Sequence, residues 1–364
     1  MKKTRYDERN TLFSRVRLKK GSMHYQTFYQ SHPEYQASDD AIRQPDFYLN
    51  VKKSQAYQSL VFPMTNNLDA LLKSYHETVS FTPVNSKKTE TPKTFNHTIK
   101  QLTKLYGAHD VGIVKLNAMH YYSHQGQTGE KLGLSHYGKP VKQHYTHAIV
   151  FLVPMDFETI KRSPHYETML ASLTAYHQVA QIGAQLAIYI KALGYQAMFM
   201  SDQFYLAPMV PLAYDAGLGQ IGMSNHLVHQ VYGNAIRLGA VFTTLKLSPD
   251  APIDFGLDAF CKRCALCLMN CPMQSIKPQK RIVNDRPFYR FDDQSCYKMF
   301  INTGTDCGIC IQSCPYSTGI DLKVQNGIKN KPEKIDVFLK SYLEKTGPTR
   351  RFSNKKSVMF KEEI

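Results

Sequence analysis

Cysteine is missing from most of this chain. All eight cysteines lie between residues 261 and 314, and the residues before them contain none. Disulfides need an oxidising compartment, and the start of the chain gives no sign of export. The opening MKKTRYDERN is charged and polar instead of apolar, and no twin-arginine signal follows it. We therefore expect no disulfide framework and a cytoplasmic protein.

Long apolar runs are missing as well. The one long uncharged stretch, residues 168–190, contains His177, Gln178, Gln181 and Gln185, which are costly in hydrocarbon. We expect a buried helix there and no membrane span. With 43% hydrophobic and 20% charged residues, the 364-residue chain has the composition of an ordinary globular protein, long enough for two or three domains.

Acidic residues are few. The chain has 45 Lys and Arg against 29 Asp and Glu, a formal net charge of +16. Such an excess of positive charge could favour binding to nucleic acid, to a membrane surface or to an acidic partner. The basic residues are scattered, without the interleaved aromatics that a single-strand binder needs. We interpret the charge as a solvated surface on which an acidic electron donor could dock, and expect no stable nucleic-acid partner, although that alternative stays open.

A glycine-rich stretch lacks the context that its pattern requires. The sequence AGLGQIGMSN, residues 216–225, contains Gly217, Gly219 and Gly222 in the spacing G-x-G-x-x-G. In a dinucleotide site a strand precedes this pattern, and an acidic residue follows about 20 positions later. Here the preceding APMVPLAYD holds two prolines, and no Asp or Glu follows Gly222 before Asp250. We predict that this stretch binds no dinucleotide.

The cysteines form two groups whose spacing is specific. CKRCALCLMNCP has the C-x2-C-x2-C-x3-C-P pattern of 4Fe-4S ferredoxins, in which the fourth cysteine serves the other cluster. The second group is CGICIQSCP, and a distant Cys296 completes it. Structural zinc would leave the triple spacing and both C-P endings unexplained. The sequence therefore predicts two 4Fe-4S clusters.

Crossing the two groups assigns four ligands to each cluster. The first cysteine set is Cys261, Cys264, Cys267 and Cys314. The second cysteine set is Cys271, Cys296, Cys307 and Cys310.

The remaining pattern predicts four regions. We expect an N-terminal arm with short helices that packs on the core (1–95), an αβ core (96–254), a ferredoxin module (255–320) and a basic tail (321–364). In the core, FNHTIKQLTKLYGA and residues 165–193 have the features of helices, the second ending near Gly194. The apolar runs 111–116, 148–153, 197–200 and 236–245 are typical of strands.

Several stretches in their order and spacing resemble a known family. They are YDERNTLFSR, HPEYQASDDAIR, YGAHDVGIVKL, YHQVAQIGAQLAIYIKALGYQA, AGLGQIG and RLGAVFTTLKLSPDAPIDFGLDAFCKRCALC. The chain resembles the corrinoid-dependent reductive dehalogenases and, more distantly, the epoxyqueuosine reductases. The resemblance implies an α/β (α+β) nitroreductase-like corrinoid-binding core followed by a bacterial-type ferredoxin with two 4Fe-4S clusters. The implied cofactors are these clusters and cobalamin.

The resemblance also implies roles for three residues of the core. Tyr176 would donate a proton, and Arg237 would stabilise its phenolate and so lower the phenol pKa. Asp202 lies near the position of a carboxylic proton donor in the epoxyqueuosine reductases. On pattern alone, Tyr176 is as well explained as a core aromatic residue, and Arg237 as a surface or ion-paired residue.

The glycine-rich stretch acquires a role from the same resemblance. Glycines let a backbone approach a large flat ring, so the implied corrinoid contacts are Gly217, Gly219, Gly222, Ser224 and Asn225. Met223 stands where the family usually has a basic residue, which puts that local contact in doubt. A plain tight turn is the alternative.

The implied reaction replaces a carbon–halogen bond by a carbon–hydrogen bond, using a Co(I) corrinoid that the two clusters reduce. The partners would be a small halogenated organic substrate and a soluble ferredoxin or reductase as electron donor. One alternative is reduction of epoxyqueuosine in tRNA, although GQIGMSN departs from the usual loop of that family. The other is a protein that only transfers electrons or reduces a corrinoid held elsewhere.

Overall fold

The computed structural model describes residues 3–43, 71, 74–75, 82–126, 136–202 and 204–347. Part of the predicted N-terminal arm and the end of the predicted basic tail lie outside these residues. Among the described helices, none combines the length and the apolarity that a membrane span requires.

The described elements begin and end with helices, and the strands lie between them. The helices are α1 Leu12–Val16, α2 Met23–Ser31, α3 Pro33–Ile42, α4 Pro92–Leu105, α5 Phe157–Ile160, α6 Tyr166–Ala192, α7 Met209–Asp215, α8 Leu257–Cys264, α9 Leu266–Met269, α10 Asp293–Thr303, α11 Ile309–Gln312, α12 Leu322–Ile328 and α13 Pro332–Thr346. The strands are β1 Asp110–Lys115, β2 His147–Pro154, β3 Ala197–Met200, β4 Gln220–Ile221, β5 Leu227–Val228, β6 Ile236–Thr243, β7 Ile276–Val283 and β8 Arg286–Phe291.

The centre of the fold is a four-stranded antiparallel sheet in the order β1-β2-β6-β3. Ile149 and Phe151 of β2 point into a core shared with α4 and α6, whereas Val150 and Leu152 point into a second core on the other face. Because both faces are covered, β2 is apolar throughout instead of alternating, as the run AIVFLV predicts. The mixed α/β core expected from the sequence is confirmed.

Helix α6 is the main support of that sheet. It runs for 27 residues, and Gly194 beyond its end has a φ of 88°, a left-handed conformation that favours glycine. On β6, a Cβ at Gly239 would lie 2.5 Å from Phe151 Cζ and 2.7 Å from Val179 Cγ1 of α6. Gly239 therefore allows α6 to pack unusually close to β6.

The glycine-rich stretch follows a helix instead of a strand. Helix α7 ends at Asp215, and the stretch then runs through β4 into a turn that leads to β5. A dinucleotide fold needs a strand at the position that α7 occupies. The structure thus confirms that the context of a dinucleotide site is missing.

The cysteine-rich segment forms a module of four short helices, α8 to α11, with the hairpin β7–β8 inserted between its two halves. The described part of the predicted basic tail folds as α12 and α13, two helices that the sequence analysis did not predict. Ile335 and Leu339 of α13 pack against Leu257 and Phe260 of α8. The tail region therefore covers the cysteine-rich module.

The N-terminal arm contacts the same module. Leu12, Val16 and Ile42 pack against Tyr297 of α10. Arg15 Nε donates to Asp39 Oδ2 at 2.8 Å, and both side chains are buried. The arm thus holds α10, which carries one of the cysteines. The boundaries of the four predicted regions stay a prediction.

Candidate functional site

The first cysteine set lines one cavity. All four of its members surround a space between α8, α9 and the segment that begins at Pro315. Met223 and Gly222 complete the wall. The crossed grouping inferred from spacing therefore corresponds to a real cavity among the described residues.

The second cysteine set lines a larger cavity. Its four members share that cavity with Tyr176, Arg237 and residues of the 224–226 turn. Its volume, open mouth included, is about 1240 Å³. The second set therefore shares a cavity with Tyr176 and Arg237, which the resemblance singles out, and the first set lines a separate cavity.

The cysteine environments suit metal clusters. Burial raises the pKa of Cys264 and of Cys307 to about 12, so thiolates at these positions need the positive charge of a bound metal. Backbone N–H groups also point at sulfur, as where Ser275 N donates to Cys271 Sγ at 3.3 Å. Two groups of four thiols, buried at Cys264 and half-buried at the other positions, fit two 4Fe-4S clusters.

Tyr176 and Arg237 meet in the larger cavity because of their positions on α6 and β6. Arg237, Gly239 and Val241 share the face of β6 toward α6, and Tyr176 precedes Val179 by one helical turn. The close packing at Gly239 brings Tyr176 over Arg237, whose Cζ lies 4.7 Å from the ring centroid. The guanidinium therefore contacts the face of the ring.

Arg237 is anchored by two further residues. Its Nη2 donates to Ser172 Oγ at 2.6 Å and lies 3.6 Å from Asp306 Oδ2. Asp306 precedes Cys307 of the second set. These contacts connect the Tyr176–Arg237 pair to the cysteine-rich module.

The Tyr176 phenol is protonated at neutral pH. Burial raises the pKa of Tyr176 to about 12, and Asp202 and Asp306 add to the increase. Arg237 lowers this pKa, as does a hydrogen bond from Tyr205. The expected direction of the Arg237 effect is therefore observed, but the larger effect of burial keeps the phenol pKa above its usual value of about 10.

Asp202 lies in the same neighbourhood. It follows β3, and its charge acts on both Tyr176 and Tyr205. It is absent from the described lining of the larger cavity. The structure thus brings Asp202 near the tyrosine without placing it on the cavity wall.

Two of the glycines implied as corrinoid contacts are used for packing. A Cβ at Gly217 would lie 2.5 Å from the carbonyl oxygen of Ala251, and one at Gly219 would lie 2.3 Å from that of Val228. Neither glycine belongs to the described lining of the larger cavity. Their close contacts are with this chain's own backbone.

The rest of the stretch divides between the two cavities. Gly222 lines only the first, Ser224 lines both, and Asn225 lines only the second. Met223 donates a backbone hydrogen bond that lowers the pKa of Cys261, although burial raises that pKa overall. Asn225 has a φ of 60°, a left-handed conformation that asparagine tolerates. The stretch thus forms part of the wall between the cavities.

His226 is a cavity residue that the sequence analysis missed. Its Nδ1 lies 3.0 Å from Ser224 Oγ. Burial and, to a lesser extent, the Arg237 charge lower the pKa of His226 to about 4, so the ring is neutral at pH 7. The sequence offered one signal for His226, namely its position directly after Asn225, which the resemblance had already implied as a cavity residue.

The larger cavity has a mixed lining. Its interior, without the open mouth, is about 390 Å³, which lies within the range of about 300–1,000 Å³ typical of small-ligand pockets. Apolar residues such as Met273, Ile276 and Phe300 line it together with the polar 224–226 turn. Such a lining suits the apolar face and polar rim of a flat macrocycle beside the second cysteine set.

Comparison with known proteins agrees with this geometry. The 4Fe-4S dicluster domain matches residues 260–318. The tetrachloroethene reductive dehalogenase of Dehalobacter restrictus is 30% identical over 181 residues, which cover 46% of this chain and 32% of that protein. The chain is related to the reductive dehalogenases. It spans about a third of the length of the curated dehalogenase that it matches.

A second enzyme class is related more distantly. The epoxyqueuosine reductase of Lactococcus garvieae is 29% identical over 152 residues, which cover 40% of this chain and 42% of that protein. Among solved structures, a reductive dehalogenase described as B12-dependent matches with a TM-score of 0.75 and 20% identity, covering 98% of this chain and 49% of that one. The chain therefore has the reductive dehalogenase fold, with the dicluster module toward its C-terminus.

Proposed function

We propose that this chain is a reductive dehalogenase-like oxidoreductase with one corrinoid and two 4Fe-4S clusters. The reaction adds two electrons and one proton to a carbon–halogen bond, so that a carbon–hydrogen bond forms and halide leaves. The similarity to dehalogenases supports the reaction class. The observation that carries the proposal is the single cavity in which Tyr176 and Arg237 face the second cysteine set.

Electrons would enter at the first cluster and pass to the second. The first set occupies a separate cavity, whereas the second set lines the cavity of Tyr176. We propose that the external donor reduces the cluster that is farther from the reacting group, and that this cluster reduces the other. We propose a soluble ferredoxin or reductase for this role, with the basic surface favouring an acidic partner.

The cavity walls would hold the corrinoid beside the second cluster. Ser224, Asn225 and His226 lie on one wall, and Tyr176 lies in the same cavity. When bound, the corrinoid would supply a reduced cobalt centre that carries out carbon–halogen cleavage. The neutral His226 ring lacks the acidic second proton of an imidazolium, so it is a poor proton donor beside Tyr176.

Tyr176 would deliver the proton. Its phenol keeps its proton well above neutral pH, and the nearby Arg237 charge stabilises the phenolate left after transfer. Arg237 suits this role because it does not lose its own charge at physiological pH. Ser172 and Asp306 hold the guanidinium in place.

Halide release tests this proposal. The chain, reconstituted anaerobically with iron, sulfide and cobalamin, should release bromide from a brominated phenol with a chemical reductant. A preparation loaded with iron and sulfide alone should release none above background. Equal release with and without cobalamin would contradict the proposed reaction.

Epoxyqueuosine reduction is the second candidate. The similarity to the reductase of Lactococcus garvieae and the position of Asp202 near Tyr176 favour it. It would need tRNA as partner. An anaerobic assay with epoxyqueuosine-containing tRNA would distinguish the two, because turnover of tRNA without halide release from halogenated phenols would replace the dehalogenase proposal.

An electron carrier is the third candidate. Such a protein would hold the clusters but would not retain cobalamin. Desalting after cobalamin loading separates this case, because the proposed enzyme keeps its cobalt and a carrier loses it.

A further inference from the structure

One buried aromatic side chain belongs to an apolar cluster that borders both cysteine sets. Tyr289 of β8 is 2% exposed and packs with Met223 and Ile276 in a small apolar cluster. The half-buried residues packed against this cluster include cysteines of both sets: Cys261, Cys267, Cys271 and Cys310. Met223 lines the cavity of the first set and Ile276 lines that of the second, so Tyr289 joins two residues that face different cysteine sets.

The Tyr289 backbone is fixed by the turn between the cavities. Asn225 Nδ2 donates to the Tyr289 carbonyl oxygen at 2.9 Å, and Tyr289 N donates to Asn225 Oδ1 at 2.8 Å. Both ends of the Asn225 amide are therefore used to hold β8. An aspartate at position 225 could accept the second hydrogen bond but could not donate the first.

The Tyr289 hydroxyl is hydrogen-bonded to α8. It donates to Asp258 Oδ1 at 3.3 Å, and Lys280 Nζ lies 5.2 Å from the ring centroid. The hydroxyl is therefore engaged by α8, and the apolar part of the ring packs with Met223 and Ile276.

We propose that Tyr289 is a positioning residue that keeps water out of the space between the two clusters, and that Asn225 holds it there. This inference rests on the proposed function in one respect, namely that each cysteine set carries a 4Fe-4S cluster. Reduction adds negative charge to a cluster, and water stabilises that charge, so solvent exposure raises the reduction potential. A dry apolar cluster that borders both sites, and that Tyr289 completes, should therefore keep both potentials low.

The test is a redox titration of the anaerobically reconstituted full chain, followed by electron paramagnetic resonance, with or without cobalamin. Tyr289→Leu leaves room for water, and both cluster signals should become easier to reduce. The expected change is about tenfold in the ratio of reduced to oxidised cluster at a fixed potential, or about 59 mV for a one-electron couple. Tyr289→Phe keeps the ring and should leave both signals near their parent values.

Tyr316 provides a matched control. It is equally buried, at 2% exposure, and it lines only the cavity of the first cysteine set. Tyr316→Leu should therefore shift one signal and leave the other unchanged. A shift of both signals by Tyr316→Leu would indicate a general loosening and would overturn the assignment to Tyr289.

A second variant covers the case in which Tyr289→Leu does not assemble both clusters. Asn225→Ala removes the two hydrogen bonds to β8 and keeps the Tyr289 ring, so it should shift both signals in the same direction by a smaller factor. If Tyr289→Leu or, where needed, Asn225→Ala shifts one signal or neither, the inference is wrong. Absence of two cluster signals in the parent chain would instead contradict the proposed function.

Discussion

At the scale of single residues, the candidate site depends on which face of an element each side chain occupies. Arg237 and Val241 lie on the same face of β6, and Gly239 between them lets α6 approach. Periodicity could predict both elements, because AIVFLV and the long uncharged run have clear patterns. It could not predict the contact of Tyr176 with Arg237, which depends on the distance between α6 and β6.

Replacing Tyr176 by phenylalanine tests its role as proton donor. The ring stays in place over Arg237, but the proton is lost, so dehalogenation should slow by about 10²- to 10⁴-fold. Iron and cobalt contents should equal those of the parent. A variant that keeps at least half of the parent rate would show that another group donates the proton, and Asp202→Asn would then be the variant to compare.

The pH dependence of the parent follows from the same residue. Because the pKa of Tyr176 is raised to about 12, the phenol holds its proton throughout the range from pH 7 to pH 9. The rate of the proton-transfer step, measured in single turnovers, should therefore not fall between pH 7 and pH 9 through ionisation of Tyr176. We expect no loss of rate in this range that is present in the parent and absent in Tyr176→Phe. Such a loss would mean that the phenol pKa in the working enzyme is far lower.

Gly239→Ala tests the close packing of α6 on β6. The added Cβ would lie within 3 Å of Phe151 and Val179 side-chain atoms, so the core has to shift, at a cost of about 1–3 kcal/mol. The thermal unfolding midpoint of the cluster-loaded protein should fall. Gly327→Ala in α12 is the control, because nothing lies within 4 Å of its Cβ and the midpoint should stay or rise. An unchanged midpoint for Gly239→Ala would contradict the packing argument.

At the scale of elements, the hairpin β7–β8 is the clearest omission of the sequence analysis. Asn284 and Asp285 have φ angles of 48° and 67°, as the two-residue turn of a tight hairpin requires. The pair N-D after the apolar Ile282 and Val283 was a usable signal. It was missed for two reasons. The hairpin interrupts the ferredoxin motif, and most of β7 is exposed and rich in basic residues, so apolar and polar side chains do not alternate along the strand.

One buried ion pair joins α1 and α3 of the N-terminal arm, which packs on α10. Asp39→Ala leaves the buried Arg15 guanidinium with only the half-exposed Asp293 at 3.8 Å, which should cost about 3–5 kcal/mol. We expect a lower unfolding midpoint and faster proteolysis near the arm. Asp336→Ala removes the exposed partner of Arg263 and should change neither. Equal behaviour of the two variants would mean that the arm does not stabilise α10.

At the scale of the whole molecule, the two cysteine sets were predictable and the wall between their cavities was not. The sets follow from a spacing rule that crosses two motif halves, and each set lines one cavity. The glycine-rich stretch has no such rule. Gly217 packs against Ala251, which is distant in sequence, and Gly219 packs against Val228 of the partner strand. The position of the stretch beside the cysteines therefore became visible only in the fold.

The whole-molecule account requires two clusters and one corrinoid in a single chain. The measurement that tests this most directly is metal analysis of the full chain after anaerobic reconstitution, cobalamin loading and desalting. The account predicts about eight irons, four for each cubane cluster, and about one cobalt per chain. A chain that folds and holds its iron but loses all of its cobalt, or one that holds only half of that iron, would contradict it.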